Sequence, residues 1–429
     1  MNTTLSRRGF LAAASAATIA TPSIAKAQAT QGAMARLVII GGGFGGASAA
    51  KFARLAYPWL DVTLIEPPPS IVTCPYANLV LAGTRTLANI THSFDALRAR
   101  GVHIIHDWVD GIDPAAKTLR LRTGPTLSYD RMILSPGIAL RWDAIPGYTQ
   151  AAAERMPHAW LPGNGAQTLL LRRQLEAMPD GGVVGISIPA NPYRCPPGPY
   201  ERISMIAHYL KHHKPRAKIL ALDAKDSFSK QALFQDGWKE LYGDMIEWVP
   251  LSRDGRVTRV DPAAMTLETE FGTRHKVDVA NIIPPQSAAS IAITAGLADR
   301  AGWVPVSPRT FESKAAPAIH VVGDANNGAP MPKSGFVANN TAKHAVASAA
   351  AMLRGEPPPE PVYFNTCYSH VGTDYGISIV GIFRATETAF TEQPDTGGPS
   401  PRGPLPAQRA AEAAYADAWY RSITQDSFG

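Results

Sequence analysis

The sequence predicts an α/β protein with two Rossmann-like domains and a smaller α+β domain at its C-terminal end. Two observations predict this class: short apolar runs alternate with helical patterns, and one such unit has a glycine-rich loop between strand and helix. A proline-rich segment at residues 356–361 then sets off the end of the chain. A length of 429 residues, 45% of them hydrophobic and 18% charged, suits two or three domains with sizeable cores.

Residues 1–29 have the pattern of a twin-arginine signal peptide. Arg7 and Arg8 precede a short apolar run, and small-residue cleavage patterns follow at residues 25–29. The apolar run is too short for a membrane span and is interrupted by Pro22. A disordered basic tail is the alternative interpretation. We expect export to the periplasm by the twin-arginine route, which carries folded proteins that often hold a cofactor.

The charge balance excludes some classes of partner. Without residues 1–29 the chain keeps 38 Lys and Arg against 35 Asp and Glu, a formal charge of +3. It has no basic tract that would follow a nucleic-acid backbone, and no later apolar run of the roughly 18 residues that a membrane span needs. The 11 histidines are scattered and no Cys-x-x-Cys occurs. We therefore predict no nucleic-acid partner, no membrane span and no metal site.

Residues 36–66 form the clearest unit, a strand, a Gly-Gly-Gly-Phe-Gly-Gly loop, a helix and a second strand. Gly41, Gly43 and Gly46 satisfy the pattern G-x-G-x-x-G, and Glu66 follows 20 residues after Gly46. Glycines let the backbone approach a pyrophosphate, and the helix N-terminus offers free N–H groups. The acid at the end of the second strand accepts hydrogen bonds from ribose. The unit therefore predicts a dinucleotide site.

Residues 318–326 indicate which dinucleotide is bound. A strand ending in Gly323 and Asp324, followed by a long helix, is typical of the segment that closes the FAD site in two-dinucleotide flavoproteins. Residues 130–138 resemble the turn that crosses back over FAD in the same proteins. We predict an FAD-binding domain formed by residues 36–150 and 274–355. Its predicted cofactor-binding residues are Gly41, Gly43, Phe44, Gly45, Gly46, Glu66, Cys74, Val109, Pro136, Gly137, Gly323, Asp324, Lys333 and Gly335.

Residues 151–273 form a second α/β unit without a nicotinamide fingerprint. Where a glycine loop would stand, the chain has Pro-Ala-Asn-Pro-Tyr-Arg-Cys-Pro-Pro-Gly-Pro at residues 189–199. Proline has no N–H to donate, and a pyrophosphate requires such donors. A nicotinamide electron source is therefore disfavoured, and Cys195 stands where that nucleotide would dock.

Several stretches resemble the flavoprotein subunit of flavocytochrome c sulfide dehydrogenase, in the same group as sulfide:quinone reductases and glutathione-reductase-like enzymes. They are the glycine loop, Val-Thr-Cys-Pro-Tyr at Cys74, Asn-Pro-Tyr-Arg-Cys-Pro-Pro-Gly-Pro-Tyr-Glu at Cys195, His-Val-Val-Gly-Asp-Ala before Asn326, and Asn-Thr-Cys-Tyr-Ser at Cys367. The resemblance runs from about residue 36 to the end. It implies two glutathione-reductase-type domains and a C-terminal domain, residues 356–429, with an active-site cysteine and a cytochrome-docking surface.

The resemblance also implies roles for individual residues. Cys74 would form a covalent thioether with FAD, and Cys195 and Cys367 would form a redox-active disulfide. Glu201 would act as a catalytic acid and base. The alternatives are a buried inert thiol, a purely structural disulfide and a favourable helix-dipole position for Glu201. Lys333 would place positive charge near a reduced flavin, or be an ordinary surface lysine.

The implied activity is periplasmic oxidation of sulfide to sulfur or polysulfide, with electrons passing through the disulfide and FAD to a c-type cytochrome. The sequence has no Cys-x-x-Cys-His motif, so we expect haem c only on a partner subunit of a heterodimer. The alternatives are a sulfide:quinone reductase and an accessory flavoprotein of a thiosulfate-oxidising complex. The last helix, with Trp419 and Tyr420, would dock the cytochrome or pack in the core; its alanine and charge content disfavours insertion into lipid.

Overall fold

Strands and helices alternate along most of the chain. A computed structural model describes residues 34–403 and 405–429, and the predicted signal peptide, residues 1–29, lies outside the described residues. The strands of the described part are β1 (Ala35–Ile40), β2 (Leu60–Ile65), β3 (Ser70–Val72), β4 (Thr91–Ser93), β5 (His103–Ile105), β6 (Val109–Asp113), β7 (Thr118–Leu121), β8 (Thr126–Ser128), β9 (Arg131–Leu134), β10 (Ile138–Leu140), β11 (Val183–Ile188), β12 (Lys218–Asp223), β13 (Ile246–Val249), β14 (Val257–Asp261), β15 (Thr266–Thr269), β16 (Arg274–Lys276), β17 (Val279–Ile282), β18 (Gln286–Ala288), β19 (Ile319–Val321), β20 (Val362–Gly372), β21 (Tyr375–Ala385), β22 (Phe390–Glu392) and β23 (Gly398–Pro399). Its α-helices are α1 (Phe44–Ala56), α2 (Ala77–Ala82), α3 (Asp95–Ala99), α4 (Ala166–Ala177), α5 (Gly198–His213), α6 (Gln231–Tyr242), α7 (Ser290–Thr294), α8 (Gly335–Leu353) and α9 (Pro406–Phe428).

A parallel sheet with the strand order β19-β9-β1-β2-β5 forms the centre of the first domain. β1 lies in its middle because residues 37–40, Leu-Val-Ile-Ile, are buried, as in strands covered on both faces. α1 follows β1 and packs against α8. The glycine-rich loop therefore lies at the carboxyl edge of the sheet, where ligands of such sheets bind.

Two glycines allow this loop to pack tightly. A Cβ atom on Gly46 would lie 1.7 Å from the carbonyl oxygen of Gly41, and one on Gly41 would lie 2.2 Å from the carbonyl oxygen of Ser135. Gly41 also has a φ of +94°, which favours glycine. Gly46 thus brings α1 close to the end of β1, and Gly41 brings the loop close to the turn after β9.

The second domain is built on a parallel sheet with the strand order β13-β12-β11-β17. We predicted that this domain ends at residue 273, and that boundary is wrong, because β17 pairs with β11 and β16 pairs with β15. The chain then returns to the first domain through β18, which pairs with β10. β17 has only four residues and is followed closely by Pro284 and Pro285. Its local pattern therefore does not show to which sheet it belongs, and the predicted boundary was placed too early.

The C-terminal domain combines a long hairpin of β20 and β21 with the closing helix α9. β22 and β23 extend the hairpin by pairing with β21. α9 packs against α1 and β21. Gly376 permits this packing, because a Cβ atom there would lie 2.3 Å from the backbone nitrogen of Ala413. The predicted α/β class with a smaller α+β part is confirmed.

Gly46→Ala is expected to lower the free energy of unfolding by about 3 kcal/mol, because its methyl group would collide with the carbonyl oxygen of Gly41. Urea unfolding followed by tryptophan fluorescence measures this change. Gly43→Ala is the matched control: its φ is −67°, and the nearest described neighbour of a Cβ there is Cδ1 of Ile71 at 3.9 Å. Equal unfolding midpoints for the two variants would contradict the packing role of Gly46.

Candidate active site

A cavity opens at the carboxyl edge of the first sheet, between the glycine-rich loop, the start of α5, the start of α8 and β20. It contains about 1550 Å³ of space, including its mouth. The predicted site residues that line it are Gly41, Gly43, Phe44, Gly45, Glu66, Cys74, Pro136, Gly137, Cys195, Glu201, Gly323, Asp324, Lys333, Gly335 and Cys367. The fold thus brings residues from all three predicted domains to one place.

Two predicted cofactor-binding residues are not among the described residues that line this cavity. Gly46 instead serves the packing of α1 described above. Val109 begins β6, pairs with Leu121 of β7 and packs against the hydrophobic core. Its strand belongs to a small antiparallel sheet of β6, β7 and β8, and the cofactor-binding role of Val109 stays a prediction.

Glu66 lies at the end of β2, beside the glycine-rich loop. Its carboxylate accepts a hydrogen bond from the backbone N–H of Gly42. Burial raises the pKa of Glu66, while the N–H of Gly42 and the nearby His106 act to lower it. A carboxylate in this position can accept hydrogen bonds from ribose hydroxyls, as a dinucleotide site requires.

Asp324 provides a buried carboxylate with unused hydrogen-bonding capacity. Its Oδ1 atom is buried and has no hydrogen-bond partner within the described residues. Burial raises the pKa of Asp324, although Arg194 and Lys333 act to lower it. An orphaned buried acceptor costs free energy unless a ligand supplies a donor. The hydroxyls of a ribityl chain are such donors, so Asp324 and the glycine-rich loop fit FAD.

Lys333 supports the loop that carries Asp324. Its Nζ donates to the carbonyl oxygens of Asp324 at 2.9 Å and Asn326 at 2.5 Å, and lies 3.8 Å from the ring centre of Trp303. Burial lowers the pKa of Lys333 to about 8, although Asp324 acts to raise it. The side chain is therefore neither a surface lysine nor a freely extended cation, because its ammonium group is held by backbone oxygens.

The three cysteines line this cavity, and within the described chain all three are free thiols. Cys195 lies between β11 and α5 with a φ of +57°, and its N–H donates to the carbonyl oxygen of Lys333 at 2.8 Å. Burial raises the pKa of Cys195 well above its ordinary value, and the neighbouring thiols of Cys74 and Cys367 raise it further. The disulfide is not formed in this structure and stays a prediction, but its two cysteines are neighbours.

A second cavity borders the same thiol pair. It contains about 1370 Å³ of space, and Cys195 and Cys367 line it together with Tyr193, Phe228 and Val380. The thiol pair therefore borders two cavities. One is lined by the glycine-rich loop, and the other by the second and C-terminal domains together with the segment before α8.

Arg194 is a site residue that the sequence analysis missed. It lines the first cavity, donates to the carbonyl oxygen of Trp160, and its Nε has no partner in residues 34–403 and 405–429. Burial acts to lower the pKa of Arg194, but Cys74, Asp324 and Cys195 outweigh this effect and raise it. A cation beside thiols stabilises their thiolate forms. Arg194 directly precedes Cys195 in the sequence, and this position could have identified it as a site residue.

Glu201 lies in the first turn of α5, as expected, and its side chain reaches β20. Oε2 accepts a hydrogen bond from Nδ2 of Asn78 at 2.8 Å, and Oε1 accepts one from the backbone N–H of His370 at 2.9 Å. The carboxylate is thus held in the cavity by two donors, in addition to its place at a helix N-terminus. This position suits the acid–base role that the resemblance implies.

Lys230, also missed, holds β20 at the position of Cys367. Its Nζ donates to the carbonyl oxygen of Cys367 at 3.1 Å and to Oγ of Ser369 at 2.8 Å, and the residue is 6% exposed. Burial raises the pKa of Cys367, whereas Lys230 acts to lower it and Glu201 to raise it. Lys230 comes just before α6, and no local pattern marks it as a site residue.

The position of a second dinucleotide is filled by protein side chains. Asp223 ends β12 and is fully buried. Lys225 donates to its Oδ1 at 2.6 Å, while Tyr200 and Trp248 donate to its Oδ2 at 2.7 and 2.9 Å. The ring of Phe228 stacks on Tyr200 with centres 3.5 Å apart. The carboxylate at the place of a ribose-binding acid therefore already has its donors inside the protein.

Of the aromatic residues of α9, Tyr420 and Phe428 are buried, whereas Tyr415 is 58% exposed. Tyr420 is 7% exposed, its ring stacks on Tyr76 with centres 4.1 Å apart, and its hydroxyl lies 2.7 Å from Oγ1 of Thr73. Trp419 lines the first cavity. Of the two roles that the sequence left open for Tyr420, the structure therefore favours packing over docking.

Two further findings concern the described ranges as a whole. No group of three or more His, Cys, Asp or Glu side chains in residues 34–403 and 405–429 is placed to hold a metal ion. None of the helices in these ranges is both long and apolar enough to cross a membrane.

Lys230→Gln is expected to slow the alkylation of Cys367 roughly fivefold near pH 8, because losing the ammonium group raises the thiol pKa and reduces the thiolate fraction. Timed iodoacetamide labelling of the reduced protein, read by mass spectrometry, measures both rates. Labelling should rise with pH, since a raised thiol pKa means that thiolate forms only as pH increases. Cys195 is the internal control, and an unchanged rate at Cys367 would contradict the role of Lys230.

Three family models match successive parts of the chain. Residues 35–160 match pyridine nucleotide-disulphide oxidoreductase. Residues 168–284 match the central part of the sulfide dehydrogenase (flavocytochrome c) flavoprotein chain, and residues 359–428 match the flavin-binding part of flavocytochrome c sulphide dehydrogenase. The central match ends at residue 284, just after β17, in agreement with the extended second domain.

Individual relatives point the same way. The mitochondrial sulfide:quinone oxidoreductase of Mus musculus is 23% identical over 299 residues, which are 68% of this chain, and this chain spans 65% of that relative's length. The solved structure of the sulfide:quinone oxidoreductase from Aquifex aeolicus has a TM-score of 0.69 at 19% identity, covers 91% of this chain and 92% of its own, and shares the fold. The sulfide dehydrogenase (flavocytochrome c) flavoprotein chain of Chlorobaculum thiosulfatiphilum is 56% identical over 45 residues, 10% of this chain and 94% of that sequence. The chain belongs to the family of flavocytochrome c sulfide dehydrogenase flavoprotein chains.

Proposed function

We propose that this protein binds FAD and oxidises sulfide to sulfur or polysulfide, passing the electrons to a c-type cytochrome subunit. The observation that carries the proposal is that Cys195 and Cys367 line the cavity that the glycine-rich loop also lines. A thiol pair beside a dinucleotide loop can exchange two electrons with a flavin by forming or breaking a disulfide. The names of the relatives support sulfide as the substrate and a cytochrome as the partner.

The residues that would hold FAD come from two segments of the first domain. The backbone of residues 41–45 would surround the pyrophosphate, Glu66 would accept hydrogen bonds from ribose, and Asp324 would accept one from the ribityl chain. Cys74 lines the same cavity and is the proposed point of covalent attachment. When bound, the flavin supplies a group that accepts two electrons and releases them singly, which suits a haem acceptor.

The thiol pair would receive the substrate. A hydrogen sulfide anion would attack one sulfur of the Cys195–Cys367 disulfide, forming a new sulfur–sulfur bond and releasing the other cysteine as a thiolate. Burial raises the pKa of both thiols, while Arg194 opposes this effect at Cys195 and Lys230 opposes it at Cys367. At Cys195 the neighbouring thiols raise the pKa further, so that it lies well above its ordinary value. Cys367 is therefore the better leaving group, and we assign the persulfide to Cys195.

Glu201 would move protons during this exchange. Its two carboxylate oxygens are held by Asn78 and by the backbone of His370, so the group is fixed in the cavity before substrate arrives. Pre-organised acids and bases are efficient because no reorganisation is needed during the reaction. A second sulfide anion, or the end of a growing polysulfide, would take the outer sulfur from Cys195 and leave both cysteines as thiolates. The disulfide would form again as the thiol pair passes two electrons to the bound flavin.

The proposed acceptor is a cytochrome and not a membrane quinone. Three large apolar side chains of α9, Tyr420, Ile423 and Phe428, are buried within the fold and are not presented to lipid, as an interfacial helix requires. The sequence contains no Cys-x-x-Cys-His motif, so the haem would belong to a separate subunit. The pattern of residues 1–29 supports a periplasmic location for both proteins.

A nicotinamide is not the proposed electron donor. Asp223 would be the ribose-binding acid of a second dinucleotide site, yet it is buried and bound by Lys225, Tyr200 and Trp248. The loop before α5 contains Pro196 and Pro197, which have no N–H to offer a pyrophosphate. Both features support entry of electrons through the cysteines.

Cys195→Ser is expected to reduce sulfide-dependent cytochrome c reduction by on the order of a thousandfold while leaving the flavin content unchanged, because only the electrophilic disulfide is lost. The assay follows cytochrome c absorbance, and the flavin-to-protein absorbance ratio controls for folding. Full activity in this variant would overturn the mechanism. Absence of sulfide turnover in the unmodified protein would instead favour the accessory-flavoprotein alternative.

Cys74→Ala is expected to abolish covalent flavin attachment, since it removes the thiol proposed to form the thioether. Denaturing electrophoresis viewed under ultraviolet light after acid treatment detects the bond as fluorescence that migrates with the chain. Cys367→Ser is the matched comparison, because its thiol lines the same cavity but is not assigned to attachment. Fluorescence that persists in Cys74→Ala would place the bond on another residue.

A further inference from the structure

A series of polar side chains connects the first cavity with the surface of the protein. His370 of β20 lines the cavity and is 4% exposed. Tyr76, just before α2, is 6% exposed. The side chain of Asp417 in α9 is 34% exposed, so this last group reaches water. The three residues come from three separate elements and meet only in the folded protein.

The contacts along this series are continuous. Nε2 of His370 lies 3.4 Å from the hydroxyl of Tyr76, a long contact, and that hydroxyl donates to Oδ1 of Asp417 at 2.6 Å. Arg85 donates to the same Oδ1 at 2.9 Å. Tyr420 stacks on the ring of Tyr76 and fixes its plane. The hydroxyl of Tyr76 can therefore accept from His370 while it donates to Asp417.

The second nitrogen of the His370 ring is the unpaired one, and the residue belongs to the wall of the cavity. Nδ1 is buried and has no hydrogen-bond partner in the part of the chain that the structure describes. An unsatisfied buried nitrogen costs free energy, so its presence in a cavity wall calls for a function. The carboxylate of Glu201 is adjacent, because it accepts from the backbone N–H of the same residue. An imidazole can take up a proton at one nitrogen and release one at the other.

The charges around the series favour movement of protons toward the surface. Burial raises the pKa of Tyr76, and Asp417 and Glu201 raise it further although Arg85 acts to lower it, so the hydroxyl stays protonated. Burial acts to raise the pKa of Asp417, but the hydroxyl of Tyr76 and the guanidinium of Arg85 outweigh it and hold that pKa below its ordinary value. A proton that reaches Asp417 is therefore given up to water at neutral pH.

We propose that His370, Tyr76 and Asp417 conduct to solvent the proton that each sulfide oxidation releases in the cavity. This inference rests on the proposed function. Oxidation of one hydrogen sulfide anion to the level of elemental sulfur releases two electrons and one proton. The electrons leave to the cytochrome, and the proton leaves by the three side chains. Uptake at Nδ1 is matched by loss from Nε2 to Tyr76, whose own proton passes to Asp417 and then to water.

Asp417→Asn tests the outer end of the series, because the amide oxygen still accepts from Tyr76 but cannot take up a proton. We expect the kcat of sulfide-dependent cytochrome c reduction to fall about tenfold, with the KM for sulfide unchanged. The solvent isotope effect in D₂O should increase, since proton transfer becomes rate-limiting. Added imidazole buffer should restore much of the rate, because position 417 is accessible to solvent.

Asp426→Asn is the matched control, since Asp426 lies on the same helix and pairs with Lys343 at 2.5 Å. It should change neither kcat nor the isotope effect. Tyr76→Phe keeps the stacked ring and removes the hydroxyl, and it should lower kcat as much as Asp417→Asn. Unchanged kcat in Asp417→Asn and Tyr76→Phe would overturn the proposal, as would a loss that buffer does not restore and that leaves the isotope effect unaltered.

The proposal can fail separately from the proposed function. If the unmodified protein does not reduce cytochrome c with sulfide, the proposed function fails. The same variants are then compared with dithiothreitol as the reductant and cytochrome c as the electron acceptor, because oxidation of dithiothreitol by the Cys195–Cys367 disulfide also releases protons in this cavity. Equal dithiothreitol-dependent rates and isotope effects in the unmodified protein and in Asp417→Asn would then reject the proton route.

Discussion

Two charged side chains of the second domain hold the backbone of β20 in place beside the cavity. Glu201 accepts from the backbone N–H of His370, and Lys230 donates to the backbone carbonyl of Cys367. Hydrogen bonds with a charged partner are stronger than neutral ones, and both of these bind backbone atoms of β20. Because Cys195 lies just before α5, which carries Glu201, the same contacts set the separation of two cysteines that are distant in sequence. The proposed chemistry of the thiol pair depends on these two contacts with β20.

The parts of the site that lie in one continuous stretch could be predicted from the sequence. The glycine-rich loop and Glu66 are related by the geometry of one strand, one helix and the next strand, so spacing alone places them together. Lys230 and His370 gain their roles only when β20 packs against α5 and α6. Their neighbours in the sequence show nothing unusual, and a single sequence does not give the pairing of distant elements.

The wrong boundary of the second domain also results from the pairing of segments that are distant in the sequence. The end of the second domain was placed at residue 273 because four apolar residues can belong to either sheet until their pairing partner is known. Strand pairing between distant segments, and not local pattern, decides to which sheet β17 belongs. The three cysteines could be identified from the sequence because the motifs around them resemble those of the family.

The thiol pair borders both cavities, so the two sides of these sulfurs meet different surroundings. In the proposed function, a small anion that enters the second cavity, which Tyr193 and Phe228 line, would reach the sulfurs without crossing the cavity of the glycine-rich loop. Substrate would then enter, and product would leave, through a different cavity from the one that would hold the flavin. With the thiols bordering both cavities, the proposed sulfur chemistry could proceed through many cycles while the flavin stays bound in the first cavity.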